Sequence, residues 1–388
     1  MRIMHISRAA ETLRWFMIPT FKAQQAMGHY VCICTSEEVD ECIERDSLTD
    51  AQFLRSQGFD VFTHGLKRSL NPFGMIKAVL KIRSILRKHH IEAVICHNPL
   101  GAIMGRLAAF LARTPRVIYF AHGLSCAPHQ SRLSWTIKYA IEKGLGQITD
   151  AILVMNNYDE NLGKTRKIVR NAAKILRIPG MGVDLKKYSQ EADINNRLSV
   201  CREQNFEPNA KLVIFVGRLI EEKGGGIFVA SAVEVAQKHS DVNFLMAGQG
   251  PLYGVLKAKI EKEGLAARIK LLGWVQDVAK YVKAADIFVL PTYYIEGLPV
   301  SILEAMSCGK ACIVTQHRGC EDAIEDGVSG FCVPVKNVGA VVEKLDLLLD
   351  NNELRLDMGR QARKRVEEVF ALDKCTAIIV QKLEQALK

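Results

Sequence analysis

The segment 286–309, DIFVLPTYYIEGLPVSILEAMSCG, joins a short apolar run to a helical pattern through a polar loop. The run 286–290 is typical of a buried strand, and Pro299 is expected at the first helical position, because its missing N–H costs nothing there. Glu296 is therefore predicted on the loop and Glu304 on the helix. A helix N-terminus can hold a phosphate, and a nearby carboxylate can accept hydrogen bonds from sugar hydroxyls. The backbone predicted to face the phosphate is that of Gly297, Leu298, Pro299 and Val300.

Short apolar runs alternate with helical patterns along the chain, which is typical of parallel sheets covered by helices on both faces. Because 388 residues exceed the usual size of one core, we predict an α/β fold of two doubly wound domains with a cleft between them. The first would span 1–190, followed by a polar linker at 191–210, a second domain at 211–370, and a C-terminal helix at 371–388 that can pack back on the first domain. Strands are predicted at 2–6, 30–34, 60–64, 93–96, 116–121 and 151–155, and again at 212–216, 243–247, 269–272, 286–290, 312–315 and 330–333.

The composition excludes several classes of protein. Hydrophobic residues at 48% and charged residues at 24% describe an ordinary globular chain, and no apolar run reaches 18 residues. With no signal-peptide pattern, we expect a cytoplasmic protein. The 11 cysteines form no CxxC pair and fall mostly in apolar stretches, so we expect them to be reduced and structural, with no metal site.

The charge is concentrated in the first half of the chain. Residues 1–190 hold 27 Lys and Arg against 15 Asp and Glu, although the net charge of the whole chain is only +10. Much of this excess lies in 75–90, where apolar residues follow helical spacing. Such a helix can rest on an anionic membrane or simply expose a solvated face, and the sequence leaves both open. Nucleic acid is disfavoured as a partner, because aromatic residues are only 7% and no stacking pattern is present.

Distinctive residues follow the predicted strands, and open parallel sheets bind ligands beyond those carboxyl ends. Gly217, Arg218 and Lys223 follow the first strand of the second half. Arg offers a planar fork for two phosphate oxygens and Lys a mobile point charge, so both suit a diphosphate. Such cations can stabilise a departing diphosphate without a metal ion, and the chain contains no Asp-x-Asp pair. Further candidates at strand ends are Gly248, Gly250, Trp274 and His122.

These motifs resemble the retaining glycosyltransferases of family 4, which have the GT-B architecture of two Rossmann-like domains. The resemblance covers nearly the whole chain. VGRLIEEKG resembles the family's diphosphate motif at Arg218 and Lys223, and EGLPVSILEAMSCGKACIV resembles its E-x7-E signature at Glu296 and Glu304. AGQGP resembles its glycine turn, and AHG resembles the motif of its cleft histidine, here His122. One departure is 7–10, SRAA, which stands where family members often carry a glycine-rich loop that places the acceptor.

The resemblance implies a retaining hexosyltransferase that needs no metal and uses a nucleotide diphosphate sugar, expected to be a UDP-sugar. It implies that Glu304 binds the ribose and that Glu296 and His122 lie near the donor sugar, while Arg218 and Lys223 stabilise the leaving diphosphate. The stretch 67–73 with the basic helix is similar to relatives that extend glycans on a polyprenyl-diphosphate carrier at the inner face of the bacterial membrane. Two alternatives remain open: a nucleotide-sugar epimerase of the same form, and a non-catalytic nucleotide-sugar-binding protein at the membrane surface.

Overall fold

The computed structural model describes residues 1–36, 49–66, 71–127, 130–190 and 194–388. The described strands are β1 Arg2–Ala9, β2 Tyr30–Ser36, β3 Asp60–Thr63, β4 Ala93–His97, β5 Arg116–Phe120, β6 Ala151–Val154, β7 Ile175–Arg177, β8 Lys211–Val216, β9 Val242–Ala247, β10 Ile269–Gly273, β11 Ile287–Leu290, β12 Ala311–Thr315 and β13 Phe331–Val333.

The described helices, in chain order, are α1 Glu11–Phe16, α2 Ile18–Ala26, α3 Asp50–Ser56, α4 Pro72–Lys88, α5 Pro99–Ala112, α6 Arg132–Gly146, α7 Asn157–Thr165, α8 Ile194–Gln204, α9 Gly225–Lys238, α10 Tyr253–Lys262, α11 Val278–Ala284, α12 Val300–Ser307, α13 Cys320–Ala323, α14 Val338–Asp350, α15 Asn352–Arg365 and α16 Leu372–Leu387. Within the described ranges, no helix is both long enough and apolar enough to cross a bilayer.

The chain divides into two compact units. The first comprises Met1–Met181 and Asp373–Lys388, and its described strands form a seven-stranded parallel sheet in the order β3-β2-β1-β4-β5-β6-β7. Helix α16 is fastened to this unit at its end, where His29 Nε2 lies 3.0 Å from a Glu384 oxygen and the Arg116 guanidinium donates to the Leu387 carbonyl at 3.0 Å. The second unit, Gly182–Leu372, holds a six-stranded parallel sheet in the order β10-β9-β8-β11-β12-β13.

The predicted strands are all confirmed to within a few residues. The central strands are found because they are runs of apolar and β-branched residues buried on both faces of the sheet, as in β8 and β11. The sequence missed β7, a strand of only three residues. Strand β1 continues to Ala9, so most of the stretch that departs from the family's glycine-rich loop is extended backbone here.

The polar stretch predicted as a linker contains a packed helix instead. Helix α8 belongs to the second unit, where Arg197 binds the Asp286 carboxylate at 3.0 Å and donates to the Ala210 carbonyl at 2.6 Å. These bonds hold a helix whose apolar pattern is too weak to be seen in the sequence. Residues 191–193 of the predicted linker, and residues 67–70 of the stretch that resembles glycan-extending relatives, lie outside the described residues.

Candidate functional site

Two loops of the second unit meet where the order of its strands reverses. β8 and β11 are neighbours in the sheet, with β9 and β10 on one side and β12 and β13 on the other. The loop 217–224 follows β8 and the loop 291–299 follows β11, so both lie at the carboxyl ends of adjacent strands. The Tyr293 N–H donates to the Glu222 carbonyl at 2.7 Å, and the Thr292 hydroxyl donates to the same carbonyl at 3.0 Å. This reversal point is where doubly wound sheets bind ligands.

The two predicted diphosphate-binding cations are brought together here. The Lys223 ammonium forms an ion pair with the Glu296 carboxylate, and both side chains are largely buried, with 14% and 15% of their surface exposed. The Tyr294 ring lies beside both cations, 5.3 Å from Lys223 Nζ and 5.2 Å from Arg218 Cζ. Arg218 is exposed. An aromatic face attracts cations, so Tyr294 offsets part of the repulsion between two positive charges held close together.

Tyr294 and its support were not predicted from the sequence. His317, which follows β12, lies with its Nε2 2.9 Å from the Tyr294 carbonyl oxygen and so fixes the backbone beneath the ring. The only available signal for Tyr294 was its position between β11 and Glu296. A single aromatic residue in a loop is too common to be assigned a role.

The helix of the opening segment begins one residue later than predicted. Pro299 is the N-cap of α12, with φ −67° and ψ 117°, so the first helical residue is Val300 and the prediction for Pro299 was wrong by one position. The reason is that Pro also suits an extended residue just before a helix, because its φ is fixed near this value. Gly297, Leu298 and Pro299 are buried and Val300 is half-buried. Gly319 packs against the Gly297 carbonyl with φ +79°, and a side chain there would collide with that oxygen.

Glu304 lies on α12 and is held by an unpredicted tyrosine. The Tyr188 hydroxyl bonds to its carboxylate. Burial raises the pKa of Glu304, and this effect outweighs the opposing influence of the Tyr188 bond and of the Lys187 charge. Burial and the neighbouring carboxylate in turn raise the pKa of Tyr188. The Glu304 carboxylate is therefore a hydrogen-bond acceptor that is partly removed from solvent, and its negative charge is only partly compensated.

The glycines at the strand ends have a structural role that is visible in the backbone. Gly217 N–H donates to the Ala247 carbonyl at 3.0 Å, and Gly248 N–H donates to the Gly273 carbonyl at 2.7 Å, so the ends of β8, β9 and β10 are joined. A side chain at Gly248 would strike the Gly217 carbonyl, and one at Gly250 would strike that of Leu219. Trp274 follows β10 at the edge of the sheet, two strands away from β8, and is half-buried.

His122 belongs to the first unit and stands just beyond the carboxyl end of β5. It is half-buried, and its Nε2 lies 3.1 Å from His97 Nδ1. Burial lowers the pKa of His122 to about 4, so its ring is neutral at pH 7. Within the described part of the chain, no three His, Cys, Asp or Glu side chains are grouped so that they could hold a metal ion.

Two family models match the chain. Residues 200–365 match the model of glycosyl transferases group 1, and residues 20–178 match a glycosyl transferase 4-like domain. Among curated proteins, the chain is 28% identical over 367 residues to N,N'-diacetylbacillosaminyl-diphospho-undecaprenol alpha-1,3-N-acetylgalactosaminyltransferase of Campylobacter jejuni, covering 93% of each. It is 26% identical over 339 residues to UDP-Gal:alpha-D-GlcNAc-diphosphoundecaprenol alpha-1,3-galactosyltransferase of Escherichia coli, covering 86% of this chain and 85% of that protein.

Solved structures give the same picture of the fold. HepE of Anabaena, solved in complex with UDP and glucose, superposes with a TM-score of 0.81 at 16% identity, covering 99% of this chain and 100% of its own. WaaG, a glycosyltransferase involved in lipopolysaccharide biosynthesis, superposes with a TM-score of 0.73 at 16% identity, covering 98% and 99%. Identity this low is informative about the fold alone, and it confirms the predicted GT-B architecture.

The burial of Glu304 predicts that its charge destabilises the free protein. Because the folded-state pKa of Glu304 is raised, the stabilising protonated form is lost as the pH rises through that pKa, and at pH 7 the charge of this half-buried carboxylate costs free energy. We expect Glu304→Gln to raise the free energy of unfolding at pH 7 by on the order of 1 kcal/mol, with a smaller gain near pH 4.5. Urea denaturation at both pH values measures this.

Glu343→Gln is the matched control, because the Glu343 side chain is 69% exposed. This variant should change the free energy of unfolding by less than about 0.5 kcal/mol at either pH. An equal effect of the two substitutions, or a loss of stability in Glu304→Gln at pH 7, would contradict the electrostatic account of Glu304.

Proposed function

Because the chain belongs to the glycosyl transferases group 1 family and is therefore a glycosyltransferase, we propose that it is a retaining hexosyltransferase that uses a UDP-sugar donor. The transferred sugar would be a hexose or an N-acetylhexosamine, and the acceptor a saccharide on a polyprenyl-diphosphate carrier in the assembly of a bacterial polysaccharide or glycan. The observation that carries this proposal is the cluster of Arg218, Lys223 and Glu296 around Tyr294 at the reversal point of the second sheet.

Arg218 and Lys223 are assigned to the leaving diphosphate. As the bond from sugar C1 to the diphosphate oxygen breaks, negative charge grows on the phosphate while C1 becomes cationic, and fixed cations lower this barrier. Lys223 has three N–H donors, so it can keep its bond to Glu296 and still reach a phosphate oxygen. The first turn of α12 adds backbone N–H groups without intrahelical acceptors, and we assign 297–300 to the phosphate as well. No metal ion is required in this scheme.

The remaining site residues are assigned to the two sugars of the donor. Glu304 accepts from the ribose hydroxyls, for which a desolvated carboxylate held by Tyr188 is suited. Glu296 and His122 position the transferred sugar. The acceptor hydroxyl attacks C1 on the face from which the diphosphate leaves, and its proton passes to the departing phosphate oxygen. Gly217, Gly248, Gly250 and Trp274 are assigned to shaping the nucleotide pocket.

The lipid-linked acceptor is supported by the names of two relatives. The Escherichia coli and Campylobacter jejuni proteins, which each match more than four fifths of this chain, are both named for diphosphoundecaprenol-linked saccharides. The Escherichia coli name also specifies UDP-Gal as the donor. These names are our reason for placing a UDP-sugar and a polyprenyl-diphosphate acceptor at the head of the candidates.

A membrane surface is supported by one side of the first unit. Three adjacent helices expose apolar side chains there: Phe73, Ile76 and Leu80 on α4, Leu107, Phe110 and Leu111 on α5, and Leu133, Ile137 and Ile141 on α6. The residues of α6 recur every four positions, so they form one stripe. Lys77, Lys81, Arg87 and Lys88 are exposed on α4 beside this apolar surface. Apolar side chains flanked by cations suit the interface of an anionic bilayer, so we propose peripheral binding through these helices.

The direct test is a transfer assay with a panel of UDP-sugars and an extracted or synthetic polyprenyl-diphosphate glycan. We expect a product only when both donor and acceptor are present, with the anomeric configuration of the donor retained in its NMR spectrum, and with the same rate in EDTA. Conversion of the UDP-sugar in the absence of acceptor would indicate an epimerase. Tight UDP binding without transfer to any acceptor would indicate a non-catalytic binding protein.

Loss of either cation should reduce transfer strongly. We expect Arg218→Ala and Lys223→Ala each to lower kcat by about 10²-fold or more, because each removes a contact to the developing phosphate charge. Lys257→Ala on α10 is the matched control, since the Lys257 side chain is 62% exposed and forms an exposed pair with Glu261. Turnover within a few fold of the wild type in either site variant would reject the assigned role.

Membrane binding can be measured by co-sedimentation with vesicles. We expect binding to vesicles that contain phosphatidylglycerol and much weaker binding to pure phosphatidylcholine. Lys77→Glu with Lys81→Glu should weaken binding by at least ~10-fold, because each lysine near an anionic surface contributes about 1 kcal/mol. The double variant Lys257→Glu with Lys262→Glu makes the same charge change on exposed residues of the second unit and should bind like the wild type. Equal losses in the two double variants would show that only the net charge matters.

A further inference from the structure

Three histidine rings of the first unit are hydrogen-bonded in a row. His122 Nε2 lies 3.1 Å from His97 Nδ1, His97 Nε2 lies 2.9 Å from His5 Nδ1, and His5 Nε2 lies 2.9 Å from Gln24 Oε1. The rings come from β1, from the end of β4 and from just beyond β5, which are neighbours in the sheet. His5, His97 and Gln24 are completely buried, whereas His122 is half-buried. The row therefore runs from the interior to the carboxyl ends of the strands.

Sheet register and aromatic packing fix the rings in place. His5 is paired with Ile95 and His97 with Phe120, and side chains two apart on β4 share a face, so the row follows one face of the sheet. The Phe21 ring lies 4.4 Å from that of His5, and the Phe120 ring lies 5.2 Å from that of His97. Because these neighbours restrict rotation of the rings, the same ring nitrogens remain opposite each other.

Burial makes the row neutral. It lowers the pKa of His5 and of His122 to about 4, and it also lowers the pKa of His97 well below its usual value, with the two neighbouring histidines acting in the same direction. Each ring then carries a single proton at pH 7, so one nitrogen donates and the other accepts. A row of such bonds can point in only two ways, and choosing the direction of one bond sets all the others.

Gln24 sets the direction. The Gln24 amide is placed with Oε1 toward His5, and in this orientation His5 carries its proton on Nε2 and accepts at Nδ1 from His97 Nε2–H. His97 then accepts at Nδ1 from His122 Nε2–H. His122 is left with a bare Nδ1, which is a hydrogen-bond acceptor. If the Gln24 side-chain amide were rotated by half a turn, its NH₂ group would donate to His5. All the bonds in the row would then reverse direction, and His122 would carry its proton on Nδ1.

We propose that Gln24, His5 and His97 are positioning residues that hold His122 as the neutral Nε2–H tautomer, so that its Nδ1 accepts a hydrogen bond from a hydroxyl of the donor sugar. The identity of the bonded group rests on the proposed function, whereas the tautomer follows from the row of rings alone. Because none of the three positioning residues needs to touch the substrate, their substitution should act through the state of the His122 ring.

The tautomer can be read directly by ¹⁵N NMR of the full-length protein labelled in its histidine rings. At pH 7 we expect His122 to show a protonated Nε2 and a bare Nδ1. In Gln24→Leu, a substitution of similar volume, His5 loses its acceptor and both tautomers should appear at His122, two rings away. Gln25→Leu is the matched control, because Gln25 is the next residue on α2 and is exposed. A wild-type His122 that is protonated on Nδ1, or His122 signals unchanged in Gln24→Leu, would overturn the proposal.

The transfer assay separates this inference from the proposed function. We expect Gln24→Leu to lower kcat/KM for the UDP-sugar in proportion to the fraction of His122 that loses the Nε2–H tautomer in the NMR spectrum, about twofold for equal populations, with no change in the Kd of UDP, which lacks the transferred sugar. If the tautomer shifts while kcat/KM stays constant, the role of the row in sugar binding is rejected and the transferase function stands. If the wild type transfers no sugar, the proposed function fails, and the NMR result still decides the tautomer.

Discussion

The reversal of strand order between β8 and β11 is the constraint on which the candidate site depends. The chain leaves these two strands toward opposite edges of the sheet, so the loops that follow them border a crevice beyond their carboxyl ends. Those loops need partners of their own, because their backbone groups lie outside the sheet ladder. The Glu222 carbonyl supplies one by accepting from both Thr292 and Tyr293. The side chains of Lys223 and Glu296 then meet across the same junction.

Burial is used in opposite ways in the two units. In the second unit, burial raises the pKa of Glu304, and the Tyr188 hydroxyl and the Lys187 charge offset only part of this effect. In the first unit, burial removes the charge from three histidines and leaves a row of neutral rings with a defined direction. The environment of Glu304 maintains a hydrogen-bond acceptor at a cost in the free energy of unfolding, as is common at functional sites. In our proposal, the other environment makes the hydrogen-bonding character of the half-buried His122 ring depend on the buried Gln24 amide.

Much of the fold could be predicted because its determinants are local. Runs such as 212–216 are apolar throughout, and strands buried on both faces need no other signal. The loops that carry Arg218 and Glu296 could be placed for the same reason. The contacts between them could not, since the Lys223–Glu296 pair joins residues 73 positions apart and exists only because β8 and β11 are neighbours. His5 and His97 were missed because a single histidine in an apolar strand gives no sign of its partners.

The structure also shows how the two cations that we assign to the diphosphate are held near each other. Arg218 and Lys223 carry like charges on the loop that follows β8, and their repulsion would be largest with no anion present. The Tyr294 ring lies about 5 Å from both cationic groups and attracts each of them. Glu296 neutralises the more buried cation, Lys223, while solvent screens the exposed Arg218. The cations are thus kept close together by partners that leave donors of both free to turn toward an incoming anion, which is the preorganisation that electrostatic catalysis requires.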